Sequence, residues 1–486
     1  MSEQRFLGTF GSTGLGEHYG ELTVSGVNTA IRLIGHDLTD ISTAKTIYGQ
    51  TTRGKVSCID CISTGAQWTF DGVSKAEQAK IFPHYVTYGS VFFDPEAGAI
   101  TGTTFRFTDI DVLFGESGQV GSFMASPALM ESILMAAPNN NAVTAGETPV
   151  VSYYNGQAEV WALQTVIGRI SVHNVVEFDA LYPFTHRLDM SITFDAPLSF
   201  KESVERMHRV RQCMTVIAGR AQALEAIKLT LDSPGAPVAS RPPRLNLEWC
   251  LSPQGPAESD FPPHRFALPL NPLQRPDECS LVLAGWFARD ETWRWPRGRF
   301  VEGLQQGRHY SADRLVAAAN MFDLLPDSAY SPPETLDPKV GEAVARAKAM
   351  FRDLPDSIER SSVLGTLGRL GKLSLPKKLI QRGYIVLSHF GARLPSLQKV
   401  LKAAILCRNH LVHGSDFDLD AVDPYIDLMT DSLEFVFIAS DLIELGWQAA
   451  EWAKGPGSGG HRFADFLHTY AASIGPFVNA YEGRAS

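Results

Sequence analysis

Polar and apolar residues alternate from Leu188 to Asp195: Leu188, Met190, Ile192 and Phe194 fall on one face of an extended chain, and Asp189, Ser191, Thr193 and Asp195 on the other. That period of two predicts a strand with one face in a core and one in water. Shorter pieces repeat it: Ile31 and Leu33 around Arg32, Phe105 and Phe107 around Arg106, and Val160 to Val172 interrupted at Gly168. Turn formers separate them, as in Pro138-Asn139-Asn140-Asn141 and around Asp94-Pro95. Short strands divided by turns predict an antiparallel sandwich or barrel rather than alternating strand–helix units.

At Ser199 the period changes. Phe200, Val204, Met207, Val210 and Cys213 recur at steps of three and four, which predicts one amphipathic helix running to about Leu229. Prolines then crowd residues 231–275, predicting loop with occasional edge strands. Beyond Gln305 the helical period holds. Leu315, Ala318, Phe322 and Leu325 mark a helix stopped by Pro326, and Pro338 opens a second that runs to about Leu354. Ser396 is placed to cap a third, ending at Gly414, and a stripe from Ile426 to Trp447 marks a fourth that begins near Pro424. A Gly-rich link, 455–460, leads to a short last helix. The fold class read from this is α+β and multidomain: an antiparallel β-rich, sandwich-like half, then an all-α bundle, divided as 1–198, a connecting region 199–304, and 305–486.

Length and composition agree, since 486 residues exceed one core and 44% hydrophobic with 20% charged residues is ordinary for a globular chain. No signal peptide or membrane-spanning run is present, so a cytoplasmic protein is expected. The six cysteines form no disulfide framework, and Cys58 and Cys61 lack the second pair a zinc site needs. The net charge of −10 is unevenly spread. Residues 1–200 hold 10 Lys/Arg against 20 Asp/Glu; Gly341–Gly414 holds 13 basic against 4 acidic; Ser415–Ala453 holds 10 acidic and no basic residue. The basic block suits a phosphate backbone and equally suits a solvated helical face.

The third helix ends in Cys407-Arg408-Asn409-His410-Leu411-Val412-His413-Gly414. One turn separates Asn409 from His413 on the same face, so the amide is placed to orient the imidazole, with Arg408 beside them. A histidine that moves a proton near neutral pH and an arginine that balances phosphate charge would together serve RNA cleavage by the neighbouring 2′-hydroxyl. The competing reading is a histidine bound to the last carbonyls of its own helix. Other candidates are weaker. Asp109 and Asp111 read as a metal pair or as one solvated strand face; Gly365–Ser374 lacks the phosphate-loop spacing; His410 is expected to face solvent, and His389, His461 and His468 to be structural. Trp293 and Trp295 among Arg289, Arg294, Arg297 and Arg299 suit stacked bases or an interface between domains.

Three segments in order, RLVAAANMFDLLP at Arg314–Pro326, RNHLVHG at Arg408–Gly414 and LEFVFIASDLIELGW at Leu433–Trp447, resemble the HEPN domain of the ApeA-like family of bacterial anti-phage proteins. GELTVSG, IYGQTTRGKVSCIDC and FRFTDIDVLFG resemble, more loosely, the β-rich domain that precedes it. The resemblance implies a metal-independent endoribonuclease, without cofactor, formed where two HEPN domains pair and cutting RNA, tRNA among the expected substrates, to stop growth of infected cells. It assigns Arg408 and His413 as the catalytic pair, Asn409 as the polar residue within the motif and Asp323 as an acidic partner, with a phage-derived trigger. Some HEPN proteins carry a modifiable tyrosine two positions after the histidine, where this chain has Ser415. The alternative is a non-catalytic HEPN module that binds RNA or protein, joined to a ligand-recognising β-sandwich.

Overall fold

The computed structural model describes residues 3–483 apart from 36–37, 71–74, 116–117, 137–143, 178–184, 233–241, 258–261, 333–336, 421 and 456–458. It divides into two compact units, Met1–Ala288 and Arg289–Ser486. Residues 199–304 are therefore shared between the units: their strands join the N-terminal sheet, and their last helix belongs to the C-terminal bundle.

The first unit carries β1 (Gln4–Gly11), β2 (His18–Val24), β3 (Ala30–Gly35), β4 (Thr46–Thr51), β5 (Gly54–Phe70), β6 (Lys75–Gly89), β7 (Ile100–Phe107), β8 (Val120–Met124), β9 (Val150–Tyr154), β10 (Glu159–Thr165), β11 (Gly168–Glu177), β12 (Thr185–Leu198), β13 (Leu224–Leu231) and β14 (Arg244–Trp249). Its helices are α1 (Thr39–Thr43), α2 (Ile110–Phe114), α3 (Pro127–Ala136), α4 (Phe200–Ala218) and α5 (Pro276–Ala288). Twelve strands make one sheet, and the β5–β6 pairing closes β6, β3, β2, β1, β4 and β5 into a barrel. Phe6, Phe10, Leu22, Ile31, Leu33, Ile47, Cys58 and Ile81 fill its interior, where a Cβ on Gly49 would lie 2.5 Å from the Phe10 ring. From β6 the sheet continues through β14, β13, β7, β12 and β11 to β10. Of the two architectures the alternation allowed, barrel closure is realised, within one branched sheet.

Leu188, Met190, Ile192 and Phe194 point inward from β12 as their spacing predicts, while Asp189, expected in water, is buried near Arg106 and Arg187. Gly168, at φ 117°, forms the turn that splits β10 from β11. The helix expected to reach Leu229 ends instead at Ala218. Ser199 and Glu202 form its capping box, and Gly219 closes it in the left-handed region at φ 72°, after which β13 begins. The strand in the Pro-rich region is no edge: β14 lies between β13 and β6. Asp109 and Asp111 sit in the turn and helix after β7, not on a strand; Asp109 is buried and bonded to Arg220 and Gln222. The six cysteines are free and buried. The Pro138–Asn141 turn lies outside the described residues.

The second unit is helical: α6 (Asp290–Gln305), α7 (Ala312–Leu324), α8 (Pro338–Arg352), α9 (Ile358–Arg369), α10 (Leu375–Phe390), α11 (Leu397–His413), α12 (Ile426–Glu444), α13 (Ala449–Trp452) and α14 (Arg462–Glu482). Ser396 does precede α11, but at φ 59° with no side-chain cap, and the last helix is long rather than short. At the centre lies α12, packed by α6, α7, α10, α11 and α14. It is buried on all sides, so its polar residues need internal partners. Arg314 on α7 meets Glu434 through two bonds of 2.8 and 2.9 Å, Arg297 on α6 meets Asp441 at 2.8 Å, and Arg382 on α10 meets Ser440 at 2.9 Å. These pairs fix which face of each neighbouring helix is turned inward.

The arginine–tryptophan cluster is split: Trp293 and Arg297 belong to this core, while Trp295 on the same helix is 71% exposed with the Arg294 guanidinium carbon 5.6 Å from its ring. Trp293 is buried, with the guanidinium carbons of Arg289, Arg382 and Arg297 at 4.0, 5.3 and 5.5 Å from its ring centre, so it is closed to a stacking base. By contrast α8 and α9 bury no residue and pack chiefly on each other, leaving much of the basic block in solvent.

Candidate active site at the end of α11

The apolar face of α11, from Leu397 through Leu401 and Ala404 to Cys407, is held against α7, α10 and α12. That packing points the other face of its last turn outward. Gly414 closes the helix at φ 63°, its N–H bonded to the His410 carbonyl, so the chain turns away just after His413 and leaves that side chain exposed.

Arg408 organises the site. Its Nη1 donates to Asn409 Oδ1 at 3.2 Å and reaches His413 Nε2 at 3.0 Å, while Nη2 donates to Asn320 Oδ1 on α7 at 3.1 Å. A guanidinium can only donate, so this contact is a hydrogen bond only in the tautomer that leaves the Nε2 lone pair free to accept. A basic lone pair and a fixed cation thus share one contact. The last-turn carbonyls of α11 add partial negative charge that favours cations there.

Arg408, Asn409 and His413 are therefore together, though not in the expected arrangement. The helical spacing predicts that Asn409 orients the imidazole; its oxygen is taken by Arg408, and Arg408 itself holds the ring. Asp323 lies one turn beyond Asn320 on α7, and its side chain meets Lys378 at 3.4 Å rather than Arg408 or His413. Sequence reasoning missed Asn320, whose only signal is a lone amide in the Ala-rich stretch three residues before Asp323. His410, expected in solvent, is half-buried and bonds the Ser415 carbonyl at 2.7 Å, while His461 caps α14 by accepting from the Phe463 N–H. Among the described residues no group of three or more His, Cys, Asp or Glu side chains is placed to hold a metal. No described helix is long and apolar enough to cross a membrane.

No curated protein and no solved structure matches the chain. The family model for ApeA N-terminal domain 1 matches residues 16–274, from the end of the β1–β2 turn to the approach of α5. That is more than half of the 486 residues and takes in every barrel strand but β1 and the sheet beyond the barrel, with the helical unit lying outside the match. A family-model match over more than half of the chain shows the family: the chain belongs to the ApeA family and is an anti-phage defence protein of the ApeA type.

Proposed function

We propose that the helical unit is a HEPN ribonuclease domain that cleaves RNA, tRNA among its substrates, without a metal, and so stops growth of infected cells. The observation that carries this reading is the 3.0 Å contact between Arg408 and His413 at an exposed helix end. As the scissile phosphate draws the Arg408 guanidinium to its own oxygens, His413 Nε2 is freed to take the proton from the 2′-hydroxyl while that oxygen attacks phosphorus, and the guanidinium stabilises the charge on the phosphorane oxygens. The 5′-oxygen leaves and must be protonated in turn. One His413 cannot give and take a proton in the same step, so a second copy of the chain supplies the acid. A twofold pairing about the α11 ends does this with one self-complementary surface. Light scattering is expected to show at least a dimer; a monomer both at rest and in phage-infected extracts sinks this arrangement. The decisive test in cells is sequencing of RNA ends after infection: new 5′-hydroxyl ends are expected with the wild type and not with His413→Ala.

The basic block supports RNA binding. Arg369, Lys372 and Lys377 are exposed, while Lys378 is largely covered and engaged with Asp323. Reversing the three exposed charges is expected to weaken RNA binding and to lower the slope of affinity against salt by roughly one unit for each phosphate no longer neutralised. An unchanged slope would leave the block as a solvated surface.

A further inference from the structure

We propose that the outward face of the barrel binds a nucleoside phosphate. A cavity of 1030 Å³ opens there over β1, β2, β3, β6 and the later part of β5, which is of the size that holds a small organic ligand. Two rows of side chains cross it. In one, Arg32 on β3 stands directly opposite Lys80 on β6. In the other, Tyr19 faces Ile34, Ile34 faces Gln78, and Gln78 faces Gln67.

The first row is the informative one. Like charges opposed across an antiparallel pair destabilise it, with Cβ atoms only about 5 Å apart. Neither Arg32 nor Lys80 has a hydrogen-bond or ion-pair partner for its side chain among the described residues. Glu21 also faces Arg32 across the sheet, yet its carboxylate accepts from the Thr23 hydroxyl at 3.1 Å and lies 3.7 Å from Arg5. On the other side of Lys80 stands Gly65, where a Cβ would meet nothing within 4 Å, so the ammonium group is open to the cavity. Two adjacent cations, neither of them ion-paired among the described residues, are explained by an anion that arrives from outside, and a phosphate has the charge and the oxygens for both.

The second row says what the phosphate is attached to. Tyr19 is 78% exposed and Ile34 57%, an uncovered aromatic ring beside an uncovered aliphatic chain, one strand position pair from the cations. A planar base would cover both, and the Gln78 and Gln67 amides continue the row as donors and acceptors for its edge. A free nucleotide and the end of a nucleic-acid strand share this chemistry.

Calorimetry on the full chain carrying His413→Ala, which does not consume RNA, separates the outcomes. ATP is expected to bind, with Kd raised at least tenfold by Arg32→Ala or Lys80→Ala and severalfold by Tyr19→Ala, and restored by Lys80→Arg. These side chains are exposed, so melting temperatures should not fall, and Arg32→Ala or Lys80→Ala should if anything raise them by relieving the like-charge pair. An RNA octanucleotide that displaces ATP at equal or lower concentration assigns a strand end; one that does not assigns the free nucleotide. No binding of either at millimolar concentration, an affinity unmoved by Arg32→Ala and Lys80→Ala, or inorganic phosphate bound as tightly as ATP overturns the proposal.

Discussion

His413→Ala and Arg408→Ala are each expected to lower the rate of RNA cleavage by about 10²–10⁴-fold, the usual worth of a positioned proton-transfer group or of a fixed donor to developing charge. Folding should be spared. His413 is exposed, and the apolar face that seats α11 lies opposite it, so His413→Ala should melt and associate like the wild type, while Arg408→Ala, which gives up its bond to Asn320 on α7, should lose no more than about 1 kcal/mol. The products should end in a 2′,3′-cyclic phosphate and a 5′-hydroxyl, because the nucleophile is the substrate's own hydroxyl, and EDTA should not change the rate. In the proposed mechanism Asn320 is a positioning residue, since it bonds the Arg408 guanidinium and acts through it. Asn320→Ala should therefore lower kcat by about ten- to a hundredfold, the scale on which small misplacements act, with KM little changed. A merely structural role would instead shift the melting temperature and leave kcat alone. Activity lost in EDTA and regained with Mg²⁺, or a His413→Ala protein that cuts at the normal rate, would move the chemistry elsewhere.

Glu434→Ala is expected to destabilise the helical unit by about 3–5 kcal/mol, the cost of leaving a buried guanidinium without its counter-charge. The side chains of Arg314 and Glu434 are 1% and 5% exposed, so solvent screens the pair little. Glu434 also accepts from Arg462 at 3.3 Å, and Gly303 of α6 leaves it room, since a Cβ there would come within 2.6 Å of its carboxylate. Removing the acid thus strands Arg314 on α7, while Arg462 on α14 keeps Asp431 at 3.2 Å. Urea unfolding followed through the helical circular dichroism should show the loss, with Glu434→Gln less severe because it keeps one acceptor. A change under about 1 kcal/mol would mean that water reaches Arg314, and the pair would not be the lock between α7 and α12. The same pair gives a physical reason why Arg314–Pro326 and Leu433–Trp447 stand out in the sequence: each carries one half of it.

Period alone placed β3, β7, β12 and the helices α7, α11 and α12, because each buries one face, and that regularity is written in the spacing of apolar residues, whereas α8 was marked by Pro338. Where burial is two-sided or nearly absent, spacing is mute. Residues 224–231 continue the apolar steps of α4, and the glycine after Ala218 turns them into β13; β14 hides among prolines because its pairing partners are distant in sequence. α8 and α9 bury nothing, so the stretch between Phe351 and Ser374 offered little pattern to read. Local sequence also determined that Arg408, Asn409 and His413 would share the last turn of one helix, since they are neighbours in it. Only the tertiary structure decided how they bond. Asn320 is 88 residues away from Arg408 and reaches it because α7 packs against α11; Asp323, on the same helix, is turned to Lys378. A helix fixes the angle between its own side chains, and the packing of a second helix fixes which of them find partners.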